Sequence, residues 1–389
     1  MTEFLVRHFV KDYENTSKVS VRTAYGVLAS VTGIFCNILL FAAKWLIGYL
    51  LHSISVMADA FNNLSDAGSS AVTLIGFKLA GAKPDPEHPF GHGRIEYVSG
   101  LVVAAAILLM AYELIRDSLV KIIHPEETEF SVMVVVILIV SILVKLYMYL
   151  YNSGVAKKID SAAMKATATD SLSDTCATAV VLAATLIGHF TGLYVDGYCG
   201  ALVGVFIMCA GIGAAKDTLN PLLGQPPEEE FVQKIDQIVM AHEEICGIHD
   251  LIVHDYGPGR QMVSLHAEVP AEGNILEIHD IIDNVENELK EKLGCDATIH
   301  MDPIVTSDEH ASEMKAAVTS IIKGIDEQIN MHDFRVVTGP THTNIIFDVL
   351  IPYKFHIQDD ELVARITSQV RDRLGNNYYV IIKVDHSYV

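Results

Sequence analysis

The sequence predicts an α-helical membrane protein, with six transmembrane helices followed by two tandem cytoplasmic α+β modules of αββαβ, ferredoxin-like order. Three observations carry that prediction. The 389 residues are 51% hydrophobic, with a mean hydropathy of +0.34, too apolar for an ordinary soluble protein. Charge is segregated: residues 25–224 are sparse in Asp, Glu, Lys and Arg, whereas 225–389 are dense in them. In that polar half one order of elements occurs twice.

The first 24 residues, MTEFLVRHFVKDYENTSKVSVRTA, are mixed and polar. They are expected to form a short amphipathic cytoplasmic segment at the membrane surface rather than a cleavable signal peptide. Crossing the hydrocarbon takes about 20 apolar residues in a helix. Six stretches qualify: 25–51, 54–81, 95–118, 130–153, 161–190 and 196–219. The second and fifth are the least apolar. GALVG (200–204) offers small residues for close helix packing.

Basic residues set the expected orientation. Arg7, Lys11, Lys18 and Arg22 precede the first span, Lys83 and Arg94 follow the second, and Lys157 and Lys158 follow the fourth. These segments fall on one side of an even-numbered bundle, with Lys121 as the main dissenter. The chain is therefore expected to be a multi-pass cell-membrane protein with both termini cytoplasmic.

A proline-rich boundary, NPLLGQPP (220–227), closes the membrane domain of 25–224. Two modules follow, at 225–305 and 306–389. In the first, helices at 229–242 and 274–293 alternate with the strands HDLIVHDYG, QMVSLHAEVP and DATIHMDP. Helices at 312–329 and 358–374, with HDFRVVTGP, TNIIFDVLIP and YYVIIKVDH, repeat that order. His249-Asp250 matches His332-Asp333, Gly257-Pro258 matches Gly339-Pro340, and Asp302 matches Asp385, an internal repeat.

The net charge of −21 argues against nucleic-acid binding and suits a chain that attracts cations. The six cysteines are scattered without a CxxC pair and read as reduced, packed thiols. No nucleophile–base arrangement or phosphate-cradling loop stands out, so neither an enzyme nor a prosthetic group is expected.

Two acidic motifs stand against this apolar background: ADAFNNLSDA (58–67) and ATDSLSDTC (168–176). A carboxylate at bilayer depth costs roughly 3 kcal/mol or more, so it is expected to face a partner or a water-filled path. Asn62 and Asp66 are four apart on one helix face, as are Asp170 and Asp174. Packed together, the two helices would offer three carboxylates and an amide oxygen to a divalent cation. Carboxylates held together without a metal should bind protons, a basis for metal–proton exchange. The bland alternative is a pair of polar clamps between helices. Asp59 shares this face one or two turns towards an exit, where it would line the path or serve the structure, and Asn63 faces elsewhere and reads as structural.

With HPFGHGRIEYVSGL (88–101), the stretch LHSISVMADAFNNLSDAGSS (51–70) resembles the cation diffusion facilitator family, and the likeness covers about residues 1–303. That resemblance implies a transport site at Asn62, Asp66, Asp170 and Asp174. Zinc-handling members usually carry histidine at the position of Asp170 and often at that of Asn62, so this pattern resembles the manganese branch. Ligand chemistry agrees: imidazole suits zinc, and carboxylate or carbonyl oxygens suit manganese. The expected function is Mn2+ export in exchange for protons. The alternatives are a broader exporter of Zn2+, Fe2+, Co2+ or Cd2+, a channel, or a membrane-anchored metal sensor.

Asp85, His88 and His92 place three ligands in the loop between spans two and three, where family members bind a second metal. They could equally fix the turn. The resemblance further implies metal binding in the first soluble module at His249, His266, His279, His300 and Asp302, with a homodimer formed through both domains. Such an ion, Mn2+ or Zn2+, would be structural or regulatory. In the second module Asp348 and Lys383 stand where His266 and His300 would repeat. That module is expected not to bind metal in the same way, and instead to extend the dimer or bind a partner.

Overall fold

A computed structural model describes residues 2–387 except 17, 52–53, 125–130, 192, 194, 305–308, 339–342 and 376. The chain forms two compact units. The first comprises residues 1–225 and 255–260, and the second 226–254 and 261–389.

In the first unit a short helix α1 (Thr2–Phe9) precedes six long ones: α2 (Val19–Leu51), α3 (Ile54–Ala80), α4 (Ile95–Ile123), α5 (Val132–Ile159), α6 (Ala162–Thr191) and α7 (Asp196–Leu223). Five of them, α2 and α4 to α7, are long and apolar enough to cross a membrane. The sixth, α3, spans 27 residues, and Asp59, Asn62, Asn63, Asp66 and its serines lower its hydropathy. At one end α2, α4, α5 and α7 run several residues past the predicted spans, because turns at helix ends continue the hydrogen-bond ladder outside the apolar core, while α3 and α6 match theirs to within one residue.

The N-terminal segment expected at the membrane surface forms a short helix that packs on its own bundle. Val6 and Val10 are 6% and 3% exposed and pack with Val21, Tyr25, Phe77, Tyr151 and Val155. Burying both valines against protein removes them from water, so α1 docks on the bundle. Small residues set the α4–α7 approach, as GALVG suggested: a Cβ on Gly200 would fall 2.3 Å from Ser118 Oγ, and one on Gly204 2.6 Å from Ile115 Cγ1.

A buried ion pair ties four helices at one end. Arg22 donates to Glu96 through Nη2 at 2.8 Å and Nε at 3.3 Å. Arg22 Nη2 also reaches the Asp160 carbonyl at 2.9 Å, and Ser161 Oγ donates to Glu96 at 2.5 Å. Every charge is thus hydrogen-bonded, the condition under which buried ions are tolerated. The segment 255–260 is held to the α3–α4 loop in the same unit. Arg94 donates to the Asp255 carbonyl at 2.9 and 2.6 Å, Arg260 to the Ala82 carbonyl at 2.7 Å, and Phe90 stacks on Tyr256.

The second unit repeats αββαβ. Its first module is α8 (Glu229–Val239), β1 (Gly247–Asp255), β2 (Gln261–Pro270), α9 (Ile275–Leu293) and β3 (Asp296–Ile304). The second is α10 (Glu309–Ile325), β4 (Asn330–Thr338), β5 (Thr343–Pro352), α11 (Asp359–Leu374) and β6 (Tyr378–Ser387). Each sheet has three strands, ordered β1-β2-β3 and β4-β5-β6. In each, the last two strands run parallel, which requires the intervening helix as a crossover.

Helix periodicity explains the packing. Ile278, Ile282, Val285 and Leu289 bury one face of α9, and Leu362, Ile366 and Val370 one face of α11. Asn274 caps α9 by accepting from the Leu276 amide, and Gly294 ends it in a left-handed turn. Strand register reproduces the repeat: His266 pairs His300 and Glu268 pairs Asp302, while Asp348 pairs Lys383 and Leu350 pairs Asp385. Asp250 and Asp333 each sit at φ 52°, an uncommon value for a residue with a Cβ. The Gly339-Pro340 landmark lies outside the described residues.

Candidate metal centres

Three carboxylates meet inside the helical unit. Asp66 of α3 and Asp170 and Asp174 of α6 each offer an oxygen, all within 4.8 Å of one another. The four-residue spacing puts both α6 carboxylates on the face turned to α3. One turn or more away, Thr73 and Thr167 hydrogen-bond across the same pair of helices at 3.2 Å. Asp170 is 6% exposed. Asn62 lies one turn before Asp66 and is exposed. Asn63 is buried and donates to the Asp59 carbonyl at 3.0 Å.

The apolar pattern of the fourth span concealed a further member of this site. Lys145 of α5 is 3% exposed, and its Nζ donates to Asp66 Oδ2 at 2.7 Å and to Asp174 Oδ2 at 2.6 Å. A lone lysine in an otherwise apolar span was the available signal, since an intramembrane cation needs a partner. With all four ionised, three carboxylates against one ammonium leave a formal charge of −2, the complement of a divalent cation. Asp59, read as path-lining or structural, is paired with Lys44 of α2 at 2.7 Å; the Lys44 side chain is 3% exposed and that of Asp59 38%.

The α3–α4 loop brings Asp85, His88 and His92 together. His88 Nδ1 and His92 Nε2 each lie 3.3 Å from an Asp85 oxygen. Asp85 also fixes the turn, accepting from the Glu87 amide at 3.1 Å and the His88 amide at 2.6 Å. That last bond, chiefly, holds its carboxyl below the ordinary value. His92 Nδ1 is buried without a partner. Both sequence readings, ligand set and turn, therefore have a geometric counterpart.

In the first soluble module the sheet gathers His249 of β1, His266 of β2 and Asp302 of β3. Asp302 Oδ2 lies 3.0 Å from His249 Nε2 and 2.8 Å from His266 Nδ1. His300 borders the group, with Nε2 at 3.3 Å from Asp302 Oδ1, and its side chain is 67% exposed. His279 stands apart on the exposed face of α9, 3.5 Å from Asp283. Two imidazoles and a carboxylate suit a divalent transition ion, and His249 Nδ1 is buried without a hydrogen-bond partner, 3.8 Å from Glu268 Oε1. The residues present therefore fit such an ion.

A fourth group escaped the sequence reading: Asp250 of the first module with His332 and Asp385 of the second. The repeat had matched these positions as landmarks, but only folding brings residues of two modules together.

Comparison with known proteins follows the same division. The cation efflux transmembrane domain matches residues 30–223, and the cytoplasmic domain of cation efflux proteins matches 227–304. An uncharacterized transporter of Methanocaldococcus jannaschii is 33% identical over 277 residues, 71% of this chain and 96% of that protein. The manganese efflux system protein MneS of Bacillus subtilis is 26% identical over 282 residues, 72% of this chain and 96% of its own. A cadmium, cobalt and zinc/H(+)-K(+) antiporter of the same bacterium is 27% identical over 256 residues, 66% of this chain and 82% of its own. With both domain matches in order along one chain, and carboxylates clustered between membrane helices, this protein belongs to the cation diffusion facilitator family of divalent-cation efflux transporters.

Proposed function

We propose that the chain exports Mn2+ from the cytoplasm in exchange for protons, as a homodimer whose six long helices cross the cell membrane and whose termini are cytoplasmic. The observation that carries this reading is the Asp66–Asp170–Asp174 cluster, an oxygen donor set with neither imidazole nor thiolate among the described residues that form it. Carboxylate oxygens suit manganese, whereas imidazole would favour zinc. Asn62 adds an amide oxygen if it turns toward Asp66 as the cation binds. Resemblance to a manganese efflux system protein supports the same choice of ion.

The carboxylates bind the cation, and Lys145 balances them when it leaves. An ion that takes Asp66 and Asp174 together must compete with the Lys145 ammonium between them. Protons arriving as the metal departs complete the exchange. The match to a cytoplasmic cation-efflux domain supports dimerisation. A second reading, export of several transition ions, is favoured by the cadmium, cobalt and zinc antiporter among the relatives.

Proteoliposomes carrying the purified protein test both readings, with Mn2+ and Zn2+ uptake followed with and without an imposed pH gradient. Gradient-driven Mn2+ uptake that falls to background in Asp66→Asn and Asp170→Asn is expected. Asp170→His is expected to shift preference towards Zn2+. Equal Zn2+ transport by the unaltered protein would move the conclusion to the broader exporter, and indifference to the gradient would remove the proton.

A further inference from the structure

His332 is 8% exposed, and both of its ring nitrogens are buried without a hydrogen-bond partner. A buried imidazole with neither nitrogen satisfied is a costly arrangement, and one that calls for a ligand. The same ring lies among oxygens able to share one. Atoms of Asp250, His332 and Asp385 stand within 4.8 Å of one another, with His332 Nε2 4.0 Å from Asp385 Oδ2. Donors bound at about 2.0–2.2 Å to a tetrahedral ion lie roughly 3–4 Å apart, so small side-chain rotations would close the set.

We propose that Asp250, His332 and Asp385 form a divalent-cation site built between the two soluble modules, distinct from the His249–His266–Asp302 group. One imidazole with two carboxylates is a donor set for a first-row transition ion. Lys383, 3.0 Å from Asp385 Oδ1, has a side chain 62% exposed and can swing into solvent as the ion enters.

The ligands come from both halves of the repeat. Asp250 follows His249 on β1, while His332 and Asp385 belong to the second module. The His249 and His332 rings stack at 4.6 Å between centroids, with 21° between their planes. Ions in the two groups would therefore be near neighbours, and the inter-module ion would cross-link the modules. The second module supplies ligands to a composite site, although Asp348 and Lys383 deny it a copy of the first. Such an ion binds the assembled modules and not the separated ones, so it stabilises their pairing by mass action.

The test uses the full chain in detergent, stripped with chelator and dialysed against Zn2+ or Mn2+, with bound metal counted per chain. Asp250→Asn and His332→Ala are each expected to bind one ion fewer than the unaltered protein, or to bind it at least about tenfold more weakly. His266→Ala should lose a different ion, so that His266→Ala/His332→Ala loses both. Metal-dependent thermal stabilisation should shrink in parallel. Asp250→Asn keeps the shape of its side chain and carries the test should His332→Ala fail to fold. An Asp250→Asn variant with unchanged ion count and unchanged affinity would overturn the proposal. So would a His266→Ala variant that already lacks every ion lost by the other two, because the groups would then be one site. None of these outcomes depends on transport through Asp66 and Asp170.

Discussion

Lys145 and the carboxylates it joins define how the cluster on α3, α5 and α6 holds charge. Each hydrogen bond from Nζ is charge-assisted on both sides, the strong form of the interaction. Removing the ammonium while keeping side-chain length should leave the carboxylates free for metal. Lys145→Met is therefore expected to bind Mn2+ about tenfold more tightly, roughly 1.4 kcal/mol. It should also release the ion more slowly, so that turnover falls while affinity rises. Isothermal titration beside proteoliposome flux separates these effects, and unchanged affinity would mean that Lys145 does not compete with metal. Asp66→Asn removes a ligand and a Lys145 partner together, and is expected to lose both binding and flux.

At the next scale, small residues let neighbouring helices of the bundle approach closely. α7 approaches α4 along Gly197, Gly200, Gly204 and Gly211, where added side chains would strike Ile122, Ser118, Ile115 and Leu108. Gly204→Leu forces these helices apart and is expected to cost about 1–3 kcal/mol through overpacking, read as a lower midpoint of thermal unfolding in detergent. At the helix ends, Arg22 and Glu96 form a buried pair completed by Ser161 and the Asp160 carbonyl. Arg22→Met leaves Glu96 charged with its main partner gone, and is expected to cost about 3–5 kcal/mol. Partial recovery in Arg22→Met/Glu96→Gln would identify the stranded charge, rather than lost packing, as the cause.

At the scale of the whole molecule, the second soluble module lies beyond the ranges matched by the two family domains, which end at residue 304. The Methanocaldococcus jannaschii transporter is matched over 96% of its length by 277 residues, leaving it no room for another module of this size. The ligands proposed for transport all lie in the helical unit. A chain ending at residue 304 is thus expected to retain metal flux and to lose the inter-module ion. Flux and bound metal measured on the same preparation would check both halves of that statement. Light scattering of the detergent complex should give a protein mass of twice the 42.6 kDa chain if the cytoplasmic domains pair as proposed.

Much of this molecule was legible in one dimension because its signals are local. A long apolar run needs no partner to be recognised, and residues four apart must share a helix face. Asp170 and Asp174 could therefore be paired, and the repeated αββαβ order read, before any contact was known. Lys145 was hidden because one lysine in an apolar span carries no period, and α1 because burial of Val6 and Val10 depends on residues far along the chain. Among the six predicted spans α3 was one of the two least apolar, since Asp59, Asn62 and Asp66 make the helix polar. Spacing and composition along the chain were enough for the membrane class, the element order and the acidic pairs, whereas the family resemblance rests on the motifs at 51–70 and 88–101. Only packing in three dimensions settled which helices face one another, that an ammonium sits among Asp66, Asp170 and Asp174, that His279 stands apart from His249, and that His332 meets Asp250. Those are matters of distance between residues remote in the chain, which packing sets and spacing does not encode.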